Sequence, residues 1–189
     1  MKTETIKNIL TFLKEKEGHE LPKAWIDLIK KLKLIQELEN HPDGTQYKHR
    51  GSLDLSDSTI RKLPNDLYVD GNFNLRACKQ ITELPDNLYV GGFLSLLKCK
   101  QITELPDGIH VEGDLNLSGT NITKLPDNLY VWGNLELFVC QKLIELPENL
   151  YVGRDVYIYD TLLAEKYTNE EIREIVTSKG GKIEGQIIR

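Results

Sequence analysis

The stretch LPDNLYVWGNLEL, residues 125–137, decides the fold because it recurs along most of the chain. Related stretches begin at Leu63, Leu84, Leu105 and Leu146, which sets a period of 20 or 21 residues. A degenerate copy, HPDG, begins at residue 41. Six of the seven prolines share one position of the repeat: Pro42, Pro64, Pro85, Pro106, Pro126 and Pro147. Self-similarity at this period predicts a solenoid whose stacked repeats bury a common core.

The second half of each repeat, V-x-G-x-L-x-L, alternates apolar or small residues with polar ones. That alternation predicts one strand with a buried face in every repeat. The predicted inward rows are Val69, Val90, Val111, Val131, Val152; Leu53, Phe73, Leu94, Leu115, Leu135, Val156; and Leu55, Leu75, Leu96, Leu117, Leu137, Ile158. At the strand spacing of ~4.8 Å, about six turns would form a core about 25 to 30 Å long.

A turn and the L-P segment connect each strand to the next. The turn is expected to re-enter the core at Ile60, Ile81, Ile102, Ile122, Leu143 and Leu163. Its corner residue is cysteine in the longer turns (Cys78, Cys99, Cys140) and serine or threonine in turns one residue shorter (Ser58, Thr120, Thr161). We expect these small side chains to hydrogen-bond to the backbone of the corner. Because proline fixes φ and lacks an N–H, the L-P return is expected to be extended or tightly turned rather than helical.

Two positions of the repeat invite a chemical interpretation. Cys78 and Cys99 would occupy adjacent turns, which raises the alternatives of a metal site or a disulfide. Ordinary packing is favoured, because neither a C-x-x-C pair nor a nearby pair of histidines completes a zinc set. His110 replaces tyrosine in the row Tyr68, Tyr89, His110, Tyr130, Tyr151. We therefore interpret it as a member of a surface aromatic row rather than a catalytic base.

Residues 94–102 (LSLLKCKQI) and 115–122 (LNLSGTNI) resemble the signature of leucine-rich repeats. The segments 78–82 and 99–103 look like the cysteine-containing subclass of that family. The L-P return is similar to the short repeats of bacterial secreted effectors and to arrays in bacterial and phage proteins. Over roughly residues 42–163, the resemblance implies an α/β repeat protein, a short leucine-rich-repeat-like solenoid of stacked parallel strands.

Two departures from that family pattern leave a second architecture open. The turn usually lacks the family's asparagine, and a glycine stands near the place of the first strand leucine. These glycines are Gly51, Gly71, Gly92, Gly113 and Gly133. A narrow β-solenoid is therefore the alternative fold.

The two ends of the chain carry helical patterns suited to capping a solenoid. Residues 1–41 form the predicted N-terminal cap, with apolar residues at helical spacing in two segments: Ile6, Ile9, Leu10, Leu13, and then Trp25, Ile26, Ile29, Leu32, Leu38 after Pro22. Residues 164–189 form the predicted C-terminal cap. In it, Thr168 to Glu171 read as a capping box that opens a helix through Ile172, Ile175 and Val176. Gly180 and Gly181 would end that helix, and Lys182 to Arg189 would form a last short strand. One structural domain is expected overall.

Composition and missing motifs exclude several classes of function. Of the 189 residues, 40% are hydrophobic and 28% charged, and the net charge of −5 argues against non-specific nucleic-acid binding. The three cysteines and the lack of a long apolar run favour a cytoplasmic protein without membrane contact. No nucleophile elbow, phosphate-binding glycine loop or H-E-x-x-H motif is present. We therefore expect no enzymatic activity, no catalytic residue, no cofactor and no metal.

Binding on a solenoid usually uses the exposed residues of its strands. In the late repeats, aromatic residues interrupt an otherwise polar outward face and are expected to cluster, with acidic residues around them. The candidate partner-binding residues are Trp132, Phe138, Tyr157, Tyr159, Glu136, Asp155, Phe93 and Leu97. Aromatic side chains ringed by charge are typical of protein-binding hot spots. Packing of these aromatics against the C-terminal cap is the alternative.

The sequence thus predicts a non-enzymatic adaptor or inhibitor, monomeric, that binds a protein partner through its exposed strand face. The resemblance to phage arrays adds one specific form, a phage-encoded inhibitor of a bacterial defence complex. A structural or self-associating repeat protein, joined through an unpaired strand at Gln186 to Arg189, is the alternative from another class. A hydrolase would require a catalytic constellation created by the fold alone.

Overall fold

A computed structural model describes residue 11 and residues 23–189 of the chain. The first predicted helical segment, with Ile6, Ile9, Leu10 and Leu13, lies outside the described residues. The second forms helix α1, Lys23–Glu39. Its Ile35 and Leu38 are buried against the first turn of the solenoid and belong to the hydrophobic core. This end of the core is therefore covered by a helix, as the N-terminal pattern predicted.

The described residues after α1 include fourteen two-residue strands, which form two parallel seven-stranded sheets. The first sheet contains β1 (Lys48–His49), β3 (Tyr68–Val69), β5 (Tyr89–Val90), β7 (His110–Val111), β9 (Tyr130–Val131), β11 (Tyr151–Val152) and β13 (Lys182–Ile183). The second contains β2 (Leu53–Asp54), β4 (Phe73–Asn74), β6 (Leu94–Ser95), β8 (Leu115–Asn116), β10 (Leu135–Glu136), β12 (Val156–Tyr157) and β14 (Ile187–Ile188). In each sheet a strand pairs in register with the equivalent strand of the next repeat. The chain is therefore a solenoid of stacked parallel strands, and it matches the narrow β-solenoid of the two predicted architectures.

Each repeat contributes two short strands where the alternating pattern predicted one. The break falls at the glycine between V and L, where the chain turns from the first sheet into the second. A Cβ on Gly113 would lie only 2.6 Å from the carbonyl carbon of Gly92 in the preceding turn. Backbone hydrogen bonds join these glycines from turn to turn. The N···O distance is 3.0 Å from Gly113 to Gly92 and 3.0 Å from Gly133 to Gly113. Glycine fits positions 92, 113 and 133 because the backbones of neighbouring turns pass too close there for a side chain, whereas the sixth turn has Arg154 at the same position with a longer N···O distance of 3.2 Å.

The predicted inward rows form the core. All side chains of the three rows are buried, as are the turn residues Ile60, Ile81, Ile102, Ile122, Leu143 and Leu163. The leucines of the L-P-D-N-L segment join them, so the return path contributes a third apolar wall. The pattern of the repeat therefore accounts for which side of the chain faces inward.

Two corners in each repeat adopt the left-handed backbone conformation. One follows the second strand, at Asp57, Ala77, Lys98, Gly119, Val139 and Asp160. The other ends the L-P-D-N segment or its H-P-D-G copy, at Gly44, Asp66, Asn87, Gly108, Asn128 and Asn149. Glycine, asparagine and aspartate tolerate this region best. The recurring asparagine of L-P-D-N thus serves a tight corner, a role that the family resemblance did not identify.

The side chains at the cysteine, serine and threonine corners bond to the backbone as predicted. Thr120 Oγ1 donates to the Leu117 carbonyl of its own turn at 2.6 Å. Cys99 Sγ lies 2.9 Å from the Leu75 carbonyl of the preceding turn, and Cys140 Sγ lies 3.1 Å from the Leu117 carbonyl. These bonds tie the corner to its own turn or to its neighbour.

The C-terminal segment closes the other end of the solenoid. After helix α2, Leu162–Lys166, the capping box at Thr168 and Glu171 opens helix α3, Asn169–Ser178. Ile172 and Val176 of α3 are buried, and Gly180 follows the helix with a φ of +81°. The predicted last strand is two short strands, β13 and β14, which extend the first and the second sheet. Within the described residues, no helix has the length and apolar character needed to cross a membrane.

Candidate functional site

The predicted aromatic row lies on the outer side of the first sheet as a continuous stack. Ring centroids are 4.3 Å apart for Tyr68 and Tyr89, 5.0 Å for Tyr89 and His110, and 6.5 Å for His110 and Tyr130. The last pair, Tyr130 and Tyr151, is 4.4 Å apart, and the planes of consecutive rings are nearly parallel. In-register pairing of parallel strands places these residues one ladder step apart. The row therefore stabilises the sheet by stacking.

Trp132 lies beside this row. Its ring centroid is 6.0 Å from that of Tyr130, and 60% of the residue is exposed. Gly91 occupies the equivalent corner two repeats earlier, so no side chain fills the space there. Together with His110 and Glu112, these residues line an open cleft of about 600 Å³. Trp132 therefore forms one aromatic side of a cleft on the first sheet.

The carboxylate in that cleft is already engaged by its neighbours. Tyr89 Oη donates to Glu112 Oε1 at 2.6 Å, and His110 Nε2 lies 3.7 Å from the same oxygen. Because Glu112 bonds to the protonated phenol, the pKa of Tyr89 is raised, and burial adds to this shift. The arrangement holds the phenol as a donor. Glu112 therefore orders the aromatic row rather than standing free in the cleft.

The other predicted aromatics lie on the second sheet. The ring centroids of Phe138 and Tyr157 are 5.4 Å apart, and Tyr159 is 62% exposed. The expected cluster of four is therefore two groups, because Trp132 follows β9 of the first sheet and pairs with Tyr130 instead. The high exposure of Trp132 and Tyr159 means that the C-terminal cap does not cover them. Phe93, which directly precedes β6 of the second sheet, is also exposed.

The acidic residues predicted around the aromatics take part in the solenoid's own bonding. Asp155 Oδ1 accepts the N–H of Gln186 at 2.7 Å, and Asn134 Oδ1 accepts the N–H of Asp155 at 3.0 Å. Glu136 Oε2 accepts from the side-chain amide of Asn116. Burial raises the pKa of Glu136, and the nearby charge of Asp114 raises it further. Asp155 and Glu136 therefore link neighbouring turns.

Sequence reasoning missed a groove on the second sheet. The turn of the fourth repeat contains Ser118 and Gly119 and is one residue shorter than the cysteine turns on either side of it. On the neighbouring turns, the positions in register with Ser118 are occupied by the larger residues Leu97 and Phe138. Their side chains form the two sides of a groove over Ser118. The resulting groove has a volume of about 760 Å³. Its signal was present in the sequence as a short turn with small residues between two long turns.

The cysteines contribute no reactive site to either surface. All three are free and buried, and burial raises the pKa of each thiol, to about 11 for Cys99. Nowhere in residues 23–189 do three or more His, Cys, Asp or Glu side chains group as metal ligands. The sulfur atoms instead serve the corner bonds described above.

Comparison of this chain with protein-family models, with curated proteins and with solved structures gave no match.

Proposed function

We propose that this protein is a non-enzymatic protein-binding module, an adaptor or inhibitor that engages its partner through exposed aromatic side chains on the strand faces. The observation that carries this proposal is the exposure of Trp132 and Tyr159, at 60% and 62%, at corners that follow strands paired on both sides. Large aromatic side chains dominate the binding energy of protein interfaces. Their exposure therefore supports the proposal of a binding surface.

Rigidity of the scaffold supports the same proposal. Trp132 follows β9, which pairs with β7 and β11, and Tyr159 follows β12, which pairs with β10 and β14. Trp132 lies at a bend and Tyr159 in a turn, and the backbone of each is hydrogen-bonded to a neighbouring repeat. Side chains on backbone held in this way lose less conformational entropy when a partner binds than side chains on free loops. A preformed aromatic surface therefore favours binding with little rearrangement.

Site-specific photo-crosslinking tests this proposal. A benzophenone amino acid replaces Trp132 in one variant and Tyr159 in another, and the purified proteins are irradiated in lysate of the source organism. Ile144 provides the matched control, because it is 61% exposed but lies on the return path between Leu143 and the L-P segment. We expect one protein to be crosslinked at 132, at 159 or at both, and not at 144. Excess unlabelled protein should compete for it.

Equal crosslinking at all three positions, or adducts that excess protein does not compete away, would refute the proposal. The identity of the captured protein also tests its most specific form. If the captured protein is a component of a bacterial defence complex, the inhibitor suggested by the resemblance to phage arrays is supported. Any other partner supports the broader adaptor.

Self-association is the second candidate function, because at the C-terminal end of the solenoid both sheets finish on strands with one edge unpaired among the described residues. These strands are β13 and β14, and Ile188 of β14 is exposed. Unpaired strand edges are templates for a further chain. Light scattering over a series of protein concentrations tests this candidate. A mass that rises with concentration, and that Ile188→Lys returns to that of one chain, supports self-association, whereas a constant monomer mass refutes it.

A further inference from the structure

The groove on the second sheet, hereafter the Ser118 groove, has the dimensions of an extended peptide. Its walls are Leu97 and Phe138, which lie two ladder steps apart, a separation of about 10 Å at the ordinary strand spacing. Its floor is the short turn with Ser118 and Gly119, where Gly119 has no side chain and a φ of +68°. A single extended chain is the polymer segment that fits between walls at this separation.

The floor of the groove carries an unsatisfied hydrogen-bonding group. Ser118 is only 5% exposed, and its Oγ has no hydrogen-bond partner among the described residues. The Ser118 backbone N–H is bonded to Asn116 Oδ1, and its carbonyl accepts from Lys98, so the side-chain hydroxyl alone is left over. Leaving a buried hydroxyl without a partner is unfavourable. Because Oγ is covered, a ligand reaches it by displacing the side chains around it, and a hydrogen bond to Oγ then removes this cost.

The charge around the groove is opposite to that of the whole chain. The chain has a net charge of −5, yet Lys98, Lys100 and Lys142 all line the groove and are exposed. Among the described residues, none of these ammonium groups makes a salt bridge. Glu136, at one end, is the single carboxylate of the lining and is bonded to Asn116. The groove is therefore a local basic site with three available cations.

We propose that the Ser118 groove binds an extended acidic segment of the protein partner. An apolar side chain of that segment packs between Leu97 and Phe138, and its backbone exchanges a hydrogen bond with Ser118 Oγ. Carboxylates on either side of the apolar residue face Lys98, Lys100 and Lys142. This inference rests on the proposed function and specifies the chemistry of the partner.

Fluorescence anisotropy with synthetic peptides tests the groove without the native partner. The probes are short fluorescein-labelled peptides with a central leucine flanked by aspartate and glutamate, by lysine and arginine, or by serine and asparagine. We expect the acidic peptide to bind most tightly and to shift the backbone amide resonances of Ser118 and Gly119. A triple variant should bind the acidic peptide with an affinity lower by roughly tenfold or more, because each exposed ion pair contributes up to a few-fold to affinity. Its substitutions are Lys98→Glu, Lys100→Glu and Lys142→Glu.

A second triple variant separates local from overall charge. Lys30, Lys33 and Lys79 are exposed and lie outside the groove, so their replacement by glutamate changes the net charge by the same amount. This variant should bind the acidic peptide nearly as well as wild type. Ser118→Ala should lower the affinity for the acidic peptide by about three- to tenfold, the contribution of one hydrogen bond. Urea unfolding of each variant checks that the solenoid is retained.

Three outcomes would overturn the proposal. In the first, the acidic and basic peptides bind equally or not at all; in the second, both triple variants lose binding to the same extent. In the third, labelled oligothymidylate binds with the same dependence on Lys98, Lys100 and Lys142, which would make the groove an anion site for nucleic acid. If crosslinks at Trp132 or Tyr159 capture a partner while the acidic peptide fails, the groove proposal fails alone. If the crosslinks fail as well, the proposed function fails.

Discussion

Replacing Gly113 with alanine tests the close approach of neighbouring turns on which the narrow β-solenoid depends. The new Cβ would lie 2.6 Å from the carbonyl carbon of Gly92, 2.7 Å from its oxygen and 2.7 Å from the nitrogen of Phe93. All three are backbone atoms, so no side-chain rotation relieves the contact. The two turns must separate locally by about 0.8 Å to reach the 3.4 Å at which ordinary contact begins.

The expected loss of stability follows from these contacts. Overpacking of this kind costs about 1 to 3 kcal/mol. The separation also stretches the bond from Gly113 N–H to the Gly92 carbonyl, now 3.0 Å, and a weakened backbone bond costs about 1 kcal/mol. We therefore expect Gly113→Ala to lower the free energy of unfolding by roughly 3 kcal/mol. Urea unfolding, followed by far-UV circular dichroism, measures this loss of free energy. The slope of the unfolding free energy against urea concentration should stay the same as in the wild type.

Arg154 supplies the matched control for this substitution. It occupies the same position of the repeat in the sixth turn, where the chain already accommodates a Cβ and the N–H to Gly133 carbonyl distance is 3.2 Å. Arg154→Ala should change the free energy of unfolding by less than about 0.5 kcal/mol, as is usual for exposed residues. A loss for Gly113→Ala no larger than that for Arg154→Ala would refute the close approach of the turns.

Three further predictions concern single side chains. Val139→Asn should raise the free energy of unfolding by about 0.5 to 1 kcal/mol in urea melts, because Val139 is an exposed β-branched residue at a φ of +59° and asparagine tolerates that region. Trp132→Ala should lower the free energy of unfolding by less than about 1 kcal/mol, because the residue is mostly exposed. Leu137→Ala, in the core, should lower it by about 2 to 5 kcal/mol. At pH 8, Cys99 should react with a thiol reagent roughly a hundredfold more slowly in the native protein than in urea, because its native pKa is about 11. That raised pKa stabilises the fold below the unfolded thiol pKa of about 8.5, and its contribution should disappear as the pH rises toward 11.

The sequence was sufficient to predict which side chains pack in the interior, because this depends on the alternation of apolar and polar residues along the strand. In the pattern V-x-G-x-L-x-L, alternation alone decides which residues face the core, and Val131, Leu135 and Leu137 are buried as expected. The capping box at Thr168 and Glu171 was equally local, since both of its bonds join residues three positions apart. Features set by residues within one repeat were therefore correctly predicted.

Features set between repeats were harder to predict. The break at the glycine corner depends on how near Gly92 and Gly113 approach one another, which the alternating pattern does not specify. The position of Trp132 follows from that break, because a residue at the corner faces the first sheet while Phe138 faces the second. The Ser118 groove required comparing the lengths of three consecutive turns and the sizes of their side chains. Each of these features depends on distances between turns rather than on spacing along the chain.

Under the proposed function, the irregular residues of the repeat determine where a partner binds. The aromatic row of Tyr68, Tyr89, His110, Tyr130 and Tyr151 presents a similar ring at successive turns, so a partner bound to it could shift by one repeat at little cost. Ser118 breaks the pattern once, with a short turn between two long ones, and Trp132 stands beside glycine corners. A partner that fills the groove and contacts Trp132 has only one position on the solenoid that satisfies both. Under the proposed function, the regular repeats therefore supply a rigid support, and the departures from the repeat define where on that support the partner is expected to bind.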